Sequence, residues 1–289
     1  MKITNSQGLP QPFVDMAMPD YEYKPKEYRV TSMLKGVREI LLTARHREEI
    51  SEDVSNMMWA LFGTAAHKVL ERSKEGPNQL KENRLREQFG EYTLSGQFDL
   101  YDADTETITD YKTCSVWKVV KEEYEDWEKQ MLMYGYMLRQ IGFSVCRGEI
   151  VAIMKDHSKR DAKRERSYPQ YPVRKITFEW DFRDFEKIKN FIENKFDEIR
   201  RCENVPDDDL PICEPSERWA KPESWAVKKK GKSRALRVLS SFEEALAWRE
   251  ENGGDDIEHR PGENRKCEEY CSCNEFCSFY KNEVKGVTQ

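Results

Sequence analysis

The sequence predicts an α/β fold, because strand patterns and helix patterns both recur along the chain. Strand patterns occupy residues 85–114, 148–154 and 175–180. Apolar residues at helical intervals occupy the segments around them, at residues 30–46, 51–73, 122–140 and 183–202. The strand-rich stretch is therefore expected to lie at the centre of the fold, with helices packed against it.

The composition is that of a folded domain. The 289 residues are 35% charged and 38% hydrophobic, which suits one large domain or a domain with an appendage. No run of about 18 apolar residues is present, which argues against a membrane-spanning helix. The first residues lack the charged-then-apolar order of a signal peptide, so a cytoplasmic location is expected. The net charge of −6 argues weakly against non-specific polyanion binding by the whole surface, although local Lys and Arg patches can still bind DNA.

The chain before the first helix is predicted to be an extension. Residues 1–30 are rich in proline and irregular in pattern, and residues 30–46 follow as a helix. The arginines of this helix, Arg38 and Arg45 among them, could contact a DNA backbone or form an ordinary solvated face.

The next helix carries the first candidate metal ligand. Ser51 is expected to cap a helix over residues 51–73. Its apolar stripe consists of Val54, Met58, Leu61, Ala65 and Val69. His67 lies on the opposite side, at about 180° from that stripe, with small neighbours such as Gly63. Small neighbours let another backbone approach closely, as a metal ligand on a helix requires, whereas the alternative is a surface histidine.

Residues 92–114 are predicted to form a β-hairpin that brings two carboxylates and a lysine together. The short polar residues 102–105 favour the turn. Because side chains alternate with period two, Asp99 lies on one face of the first arm, and Asp110 shares a face of the second arm with Lys112. The hairpin therefore places Asp99 beside Asp110 and Lys112.

These three side chains suit phosphodiester hydrolysis. Carboxylates supply hard oxygen ligands for Mg²⁺ or Mn²⁺. A lysine can orient or deprotonate a water and offset negative charge on a phosphate. The alternative is that the three residues are only solvated side chains on an exposed strand face.

Two polar residues on the third long helix are candidates for the same site. Gln130 and Tyr134 are four apart on the helix predicted for residues 122–140, which Gly142 ends, so both side chains project from one face. Together they can hold a phosphate or its attacking water by hydrogen bonds, or form an ordinary partly buried pair.

A basic loop is predicted between the last two strands. Residues 155–174 include Lys155, Lys159, Arg160, Lys163, Arg164, Arg166 and Arg174. Tyr168 and Tyr171 are interleaved with them, and cations beside aromatic rings suit a single-stranded nucleic acid. A merely solvated loop is the alternative.

The composition changes after Val205. Cys213 comes first, then a strand pair around Gly231 and a helix over residues 241–251. The last cysteines are Cys267, Cys271, Cys273 and Cys277, in the order C-x3-C-x-C-x3-C. Such a cluster in an intracellular chain indicates a metal site, although the C-x2-C pairs usual for structural zinc are missing.

With these residues placed, the sequence resembles the RecB-like exonuclease branch of the PD-(D/E)XK nucleases, including its phage-encoded and CRISPR-associated iron–sulfur members. The resemblance extends from about Val30 to Cys277. It depends on four motifs in order, which are G-x-x-x-H at Gly63–His67, G-x-x-D at Gly96–Asp99, D-x-K at Asp110–Lys112 and Q-x-x-x-Y at Gln130–Tyr134. Each motif is weak alone, but their order and spacing are specific.

The resemblance implies a role for each of these residues. The catalytic metal, Mn²⁺ or Mg²⁺, would be held by His67, Asp99, Asp110 and the backbone carbonyl of Tyr111. Lys112 would position and activate the water, and Gln130 with Tyr134 would secure the substrate or that lysine. A histidine ligand would make Mn²⁺ at least as suitable as Mg²⁺.

The resemblance also implies a [4Fe–4S] cluster, with zinc as the alternative metal. The cysteines that fit the family pattern best are Cys213, Cys267, Cys271 and Cys277. Cys273 is surplus and could replace Cys213 as the fourth ligand. The solitary upstream cysteine of the CRISPR-associated members lies near the N-terminus, whereas the first 113 residues of this chain contain no cysteine. Cys213 would take its place, as in a phage-type arrangement.

The fold implied is a restriction-endonuclease-like core, a mixed central sheet flanked by helices, with a metal-stapled C-terminal region. The expected division is an extension at residues 1–30, the nuclease core at residues 31–205 and the iron–sulfur region at residues 206–289. The function implied is a DNA exonuclease of phage or bacterial recombination and repair that cuts single strands 5′ to 3′, with an end-resecting double-strand exonuclease as the second choice. DNA is the expected partner, together with phage or host recombination proteins, and an oligomer is compatible with the sequence.

Two other functions are consistent with parts of the sequence. A non-catalytic DNA-binding or adaptor protein would use the metal cluster to hold a recognition surface, and its DNA binding would depend steeply on salt. A redox sensor would use the cysteines to control a partner. Neither alternative explains the four ordered motifs.

Overall fold

The computed structural model describes residues 1–18 and 22–287, so residues 19–21 of the predicted extension and 288–289 of the predicted C-terminal region lie outside it. The strands are β1 (Lys2–Thr4), β2 (Glu27–Arg29), β3 (Ser51–Asp53), β4 (Gln79–Lys81), β5 (Arg84–Phe89), β6 (Tyr92–Gln97), β7 (Leu100–Asp102), β8 (Thr107–Cys114), β9 (Arg147–Met154), β10 (Val173–Glu179), β11 (Ala220–Lys221), β12 (Ser224–Lys228), β13 (Arg237–Leu239), β14 (Asp256–Arg260) and β15 (Glu263–Asn264). The α-helices are α1 (Gln11–Ala17), α2 (Val30–Met33), α3 (Val37–Arg45), α4 (Met58–Leu70), α5 (Val116–Val120), α6 (Glu125–Gln140), α7 (Lys159–Arg164), α8 (Phe182–Cys202), α9 (Phe242–Asn252) and α10 (Arg265–Glu269).

Contacts along the chain divide it into two compact units. The first contains the chain before Gly36 together with Glu48–Asn204, and the second contains Gly36–Arg47 together with the chain from Val205 onward. Helix α3 therefore groups with the C-terminal residues, although composition alone had placed it within the predicted core. No helix among the described residues is both long enough and apolar enough to cross a membrane.

The first unit is built on a five-stranded mixed sheet, which confirms the predicted α/β fold. Its strand order is β10-β9-β8-β7-β4. Strands β8 and β9 are parallel, and the other neighbouring pairs are antiparallel. A parallel pair needs a crossover connection, which α5 and α6 provide between β8 and β9.

The predicted hairpin is real but shorter than expected. Strand β7 pairs with β8 through Asp102 and Thr107, whereas β6 belongs to a separate three-stranded sheet of order β2-β6-β5. The chain passes from one sheet to the other through Phe98 and Asp99, both of which are buried. Asp99 therefore sits between two sheets and not in the middle of a long hairpin arm.

The helix predicted for residues 51–73 begins later, at Met58. Residues Ser51–Asp53 form β3 and pair in parallel with β1, and the Asp53 side chain caps a short 3₁₀ turn that precedes α4. The predicted cap at Ser51 is wrong because the N-terminal strand offers that segment a backbone partner. The predicted apolar stripe also ends early, since Val69 is 65% exposed.

The N-terminal extension is more regular than its sequence suggests. Strand β2 pairs in parallel with β6, so the segment before α2 is part of the second sheet. The helix predicted over residues 30–46 is split into α2 and α3. Arg38 on α3 is buried and donates to the carbonyls of Leu210 and Pro211, so it is not a DNA-facing side chain.

Helices α6 and α8 pack together and against the sheets of the first unit. The ring of Phe185 on α8 lies against Gly135 on α6, where an added Cβ would come within 3.0 Å of it. Trp180 Nε1, just before α8, donates to Glu128 Oε1 at 3.1 Å. The predicted helix over residues 183–202 is confirmed, with Asp181 as its N-cap.

The second unit contains the predicted strand pair around Gly231 and the predicted helix after it. Strand β12 pairs antiparallel with both β13 and β14, and α9 packs against these strands. Gly231 has a φ of 80°, which the turn between β12 and β13 requires and which glycine adopts without strain. Strands β11 and β15 form a separate short antiparallel pair.

Candidate active site

The site is centred on Asp99, which touches a strand on one side and a helix on the other. The backbone N–H of Tyr111 on β8 donates to Asp99 Oδ2 at 2.7 Å. His67 on α4 places Nδ1 3.2 Å from Asp99 Oδ1. The Asp99 carboxylate raises the pKa of His67, in opposition to partial burial, which lowers it. Both oxygens of Asp99 thus have a partner, and the carboxylate is fixed in place.

Asp110 and Lys112 lie next to this pair on β8, as the alternation of the strand predicts. Lys112 Nζ is 2.7 Å from Asp110 Oδ2. This ion pair joins Lys112 to a buried carboxylate oxygen, and no further hydrogen-bond donor reaches Asp110 Oδ2 among the described residues. Burial raises the pKa of Asp110, Lys112 opposes that effect, and the nearby Asp99 charge adds to it. The fold therefore holds a carboxylate where it is poorly solvated.

Gln130 and Tyr134 also belong to this neighbourhood. Gln130 Nε2 donates to Tyr134 Oη at 3.1 Å, and both side chains are buried. Burial and then the charge of Asp110 raise the pKa of Tyr134. The ring of Tyr134 also fills the space beside Gly96, where an added Cβ would lie 2.5 Å from Tyr134 Cε1. The glycine of one motif and the tyrosine of another are therefore in contact.

Sequence reasoning missed Glu82, which the structure places in this cluster. Glu82 lies between β4 and β5 with a φ of 54°, and its backbone N–H donates to the carbonyl of Asp99 at 3.1 Å. Gln97 Nε2 donates to Glu82 Oε2 at 2.8 Å, and burial raises the pKa of Glu82. No sequence signal identifies it, because Glu82 belongs to a uniformly polar stretch, residues 81–84.

A divalent cation fits this cluster for two structural reasons. Among the described residues, His67, Glu82 and Asp99 are the one group of at least three His, Cys, Asp or Glu residues whose ligand atoms all lie within 4.8 Å of one another. Beside them, the buried oxygen Oδ2 of Asp110 is paired with Lys112 and has no further donor among the described residues. A buried carboxylate that has a single lysine as its charged partner is still costly to desolvate, and coordination of a hard cation would offset that cost.

The C-terminal cysteines form a second candidate site, in the second unit, around α3. Cys213 Sγ packs on Gly36 just before α3, where an added Cβ would lie 2.6 Å from the sulfur. Cys273 Sγ lies 3.8 Å from the carbonyl oxygen of Glu39 on the same helix. Gly36 therefore permits the close approach of Cys213 to the helix.

The remaining cysteines lie close to these two. Cys271 Sγ is 3.5 Å from Cys273 Sγ, and Cys277 Sγ is 3.6 Å from Arg38 Nη1. Burial raises the pKa of Cys213 to about 12 and that of Cys267 to about 11, and Cys271 adds to both effects. The unit thus collects five thiols in one neighbourhood, in which Cys273 and Cys277 are buried and the other three are partly buried. Metal binding would stabilise the thiolates of Cys213 and Cys267 near neutral pH, whereas the hydrogen bond with Cys273 already lowers the pKa of Cys271.

Solved structures of similar fold include three that are distant from this chain. SSO0001 matches with a TM-score of 0.46 at 15% identity, over 68% of this chain and 85% of its own. The alkaline exonuclease LHK-Exo from Laribacter hongkongensis matches with a TM-score of 0.39 at 10% identity, over 61% and 89%. A phage related exonuclease from Haemophilus somnus 129PT matches with a TM-score of 0.29 at 12% identity, over 65% and 78%. Likeness at this level carries no functional argument.

A protein-family model matches most of the chain. No curated protein matches the sequence. The family model described as the PD-(D/E)XK nuclease superfamily matches residues 79–278, more than half of the chain. The match takes in Asp99, Asp110 and Lys112, while His67 lies before it. On this match the chain belongs to the PD-(D/E)XK nuclease superfamily.

Proposed function

We propose that the protein is a metal-dependent deoxyribonuclease of the RecB-like exonuclease branch that hydrolyses DNA from an end. The observation that carries the proposal is the buried carboxylate of Asp110, which is paired with Lys112 at 2.7 Å and lies close to the Asp99 charge. A solvated strand face would not bury a carboxylate in this way. Desolvated carboxylates beside a lysine are the arrangement that nuclease chemistry needs.

Each residue of the site has a chemical task in this proposal. His67, Asp99, Asp110, the backbone carbonyl of Tyr111 and the added carboxylate of Glu82 would hold the cation. A bound Mn²⁺ or Mg²⁺ would neutralise charge on the scissile phosphate and acidify a water. Lys112 retains access to solvent, with its side chain 21% exposed, so its ammonium can orient that water and stabilise negative charge on the phosphate. The hydrogen bond between Gln130 and Tyr134 would keep these two buried side chains in position near Asp110.

Single-stranded DNA cut 5′ to 3′ is the first substrate that we propose, in recombination or repair in a phage or bacterium. The basic segment that follows β9 supports a nucleic-acid substrate, since its cations can neutralise phosphates. Association with phage or host recombination proteins and assembly into an oligomer stay predictions from the sequence.

The direct test uses DNA oligonucleotides labelled separately at the 5′ and 3′ ends, single- and double-stranded, with Mn²⁺ or Mg²⁺. Wild-type protein should shorten one strand from one end, while Lys112→Ala and Asp110→Ala should abolish cleavage. Lys175→Ala is the matched control, because it removes a lysine that pairs with Glu149 at 2.9 Å on the face of the same sheet opposite to Asp110 and Lys112. Cleavage by Lys112→Ala at the wild-type rate would refute the assignment. Binding without cleavage by the wild type would favour the DNA-binding adaptor.

We also propose that the second unit binds a [4Fe–4S] cluster through Cys213, Cys267, Cys271 and Cys277. A cubane cluster holds its four thiolates at separate corners, whereas a single zinc ion draws four ligands to one point. The proposal is supported by the thiols that lie close together in this unit, with Cys271 Sγ 3.5 Å from Cys273 Sγ and Cys213 Sγ against Gly36. Such a cluster would staple residues 36–47 to the C-terminal chain within this unit.

The cluster is tested by metal content after anaerobic purification. The wild type should be brown and contain about four irons per chain. Cys213→Ala and Cys277→Ala should lose iron and solubility together, while Cys273→Ala should keep both. If Cys273→Ala lost its iron while Cys213→Ala retained it, the fourth ligand would be Cys273 and not Cys213. Colourless protein with one tightly held zinc would refute the iron assignment.

A further inference from the structure

One face of α4 is apolar and exposed. Trp59 is 65% exposed and Phe62 is 49% exposed, whereas Leu61 is buried. Leu61 packs in a small core with Ala17 and Val54, on the side of α4 that the N-terminal segment covers. Trp59 therefore faces away from the packed side of the helix, where an aromatic side chain contributes nothing to the core.

The exposed tryptophan lies in line with the candidate active site. Trp59, Gly63 and His67 are spaced by four residues and so follow one another along one side of α4. Gly63 faces β8, where an added Cβ would lie 3.2 Å from Thr113 Oγ1, and His67 lies beside Asp99. These three residues thus form a row that begins at His67 beside Asp99, passes Thr113 next to the D-x-K motif, and ends at the ring of Trp59.

Lys155 stands over the ring of Trp59. Its Nζ is 4.0 Å from the ring centroid. The backbone N–H of Lys155 donates to the carbonyl of Cys114, the last residue of β8, at 3.0 Å. The strand that carries Asp110 therefore also determines where this cation meets Trp59.

The segment 155–166 carries six cations and three carboxylates, those of Asp156, Asp161 and Glu165. Within the described residues, no carboxylate pairs with the exposed cations Lys159, Arg160, Lys163, Arg164 and Arg166. Tyr168, predicted to stack bases in this loop, is 8% exposed and accepts a hydrogen bond from the backbone N–H of Ser158 through its hydroxyl. That part of the prediction is wrong, since the Tyr168 ring is buried within the loop and is not available to stack on a base. Tyr171 is 76% exposed, but the aromatic ring that meets a cation is Trp59.

We propose that Trp59, held on one face by Lys155, stacks its other face on a base of a single DNA strand whose backbone runs along the cationic segment 155–166 toward His67 and Asp110. This inference rests on the proposed nuclease function and specifies its substrate as an unpaired strand. An aromatic ring accepts any base, since every base has a π-face, so the contact would not select sequence. It would select single strands, because paired bases are not free to stack on a side chain.

Binding of labelled single-stranded and double-stranded DNA of the same sequence, measured in the cleavage-deficient Lys112→Ala background, tests the proposal. Trp59→Ala should weaken single-strand binding about 5- to 150-fold, and Trp59→Phe should retain most of it. Double-strand binding should change much less. Phe182→Ala is the matched control, because Phe182 is 66% exposed and also has a cation, Arg183, over its ring at 5.7 Å.

A scan with single abasic sites separates base stacking from a general structural effect. One position in the strand should lose affinity when its base is removed, and Trp59→Ala should abolish the penalty at that position alone. Equal binding by Trp59→Ala and Trp59→Phe, or a penalty that persists in Trp59→Ala, would overturn the proposal. If Trp59→Ala does not fold, Trp59→Phe and the abasic scan with the tryptophan intact still decide it. If the wild-type protein, which retains Lys112, cut no DNA, the nuclease function itself would be refuted.

Discussion

Addition of one methyl group at Gly96 should disturb both the fold and the candidate active site. An alanine Cβ at this position would lie 2.5 Å from Tyr134 Cε1 and 2.9 Å from Val30 Cγ2. Tyr134 is 4% exposed and Val30 is fully buried, so neither neighbour can swing into solvent. Gly96→Ala must therefore move the tyrosine ring, the valine or the strand.

The magnitude follows from two opposed effects. Overpacking of a buried site costs about 1–3 kcal/mol. Alanine recovers about 0.4–1 kcal/mol through the smaller entropy of its unfolded chain, since the backbone of Gly96 does not require a positive φ. With two buried neighbours in the way, we expect a net loss of about 2 kcal/mol in the free energy of unfolding. Displacement of Tyr134 would also break its 3.1 Å hydrogen bond with Gln130 and lower cleavage about 10- to 100-fold.

Urea unfolding of metal-free protein and cleavage of labelled DNA measure the two effects. Gly286→Ala is the matched control, because the nearest atom to its new Cβ would be at 3.5 Å, an ordinary contact. In a Tyr134→Leu background the stability cost of Gly96→Ala should shrink, since the ring is gone and the two substitutions are coupled. An unchanged unfolding midpoint for Gly96→Ala, or the same cost in both backgrounds, would show that the contact with Tyr134 does not explain the glycine.

Three further predictions follow from the same region. Asp110→Asn should abolish cleavage and yet leave the metal-free protein at least as stable as the wild type, because burial penalises the carboxylate. In thermal melts, Mn²⁺ at 100 times its Kd should stabilise the wild type by about 2.7 kcal/mol and should not stabilise the variant. Equal stabilisation of both proteins would contradict this prediction. In calorimetric titration, Glu82→Gln should weaken Mn²⁺ binding about 10- to 100-fold, with little change in the free energy of unfolding. If the variant bound Mn²⁺ with the affinity of the wild type, Glu82 would not be a ligand. Ile150→Ala should cost about 2–5 kcal/mol in urea unfolding, because Ile150 is fully buried between Asp110 and Ile176 in register; a loss under 1 kcal/mol would mean that the sheet relaxes around the cavity.

The sequence alone determined those features that a local repeat encodes. Side chains two apart on a strand share a face, so D-x-K was enough to place Lys112 beside Asp110. Side chains four apart on a helix are neighbours, so Q-x-x-x-Y was enough to place Gln130 beside Tyr134. The α/β fold class followed from the same two periods. Backbone geometry sets these periods, and they are the same wherever the segment packs.

Only the tertiary structure decided which segments meet. It starts α4 at Met58 because β1 pairs with the preceding residues, and it brings Glu82 to Asp99 from a polar stretch without any pattern. It buries Tyr168 and places Trp59 under Lys155, 96 positions later in the chain. These contacts join residues far apart in sequence, and their energy comes from packing and desolvation that no local period records. That is the physical reason why the motifs could be read from the sequence while the full set of residues around them could not.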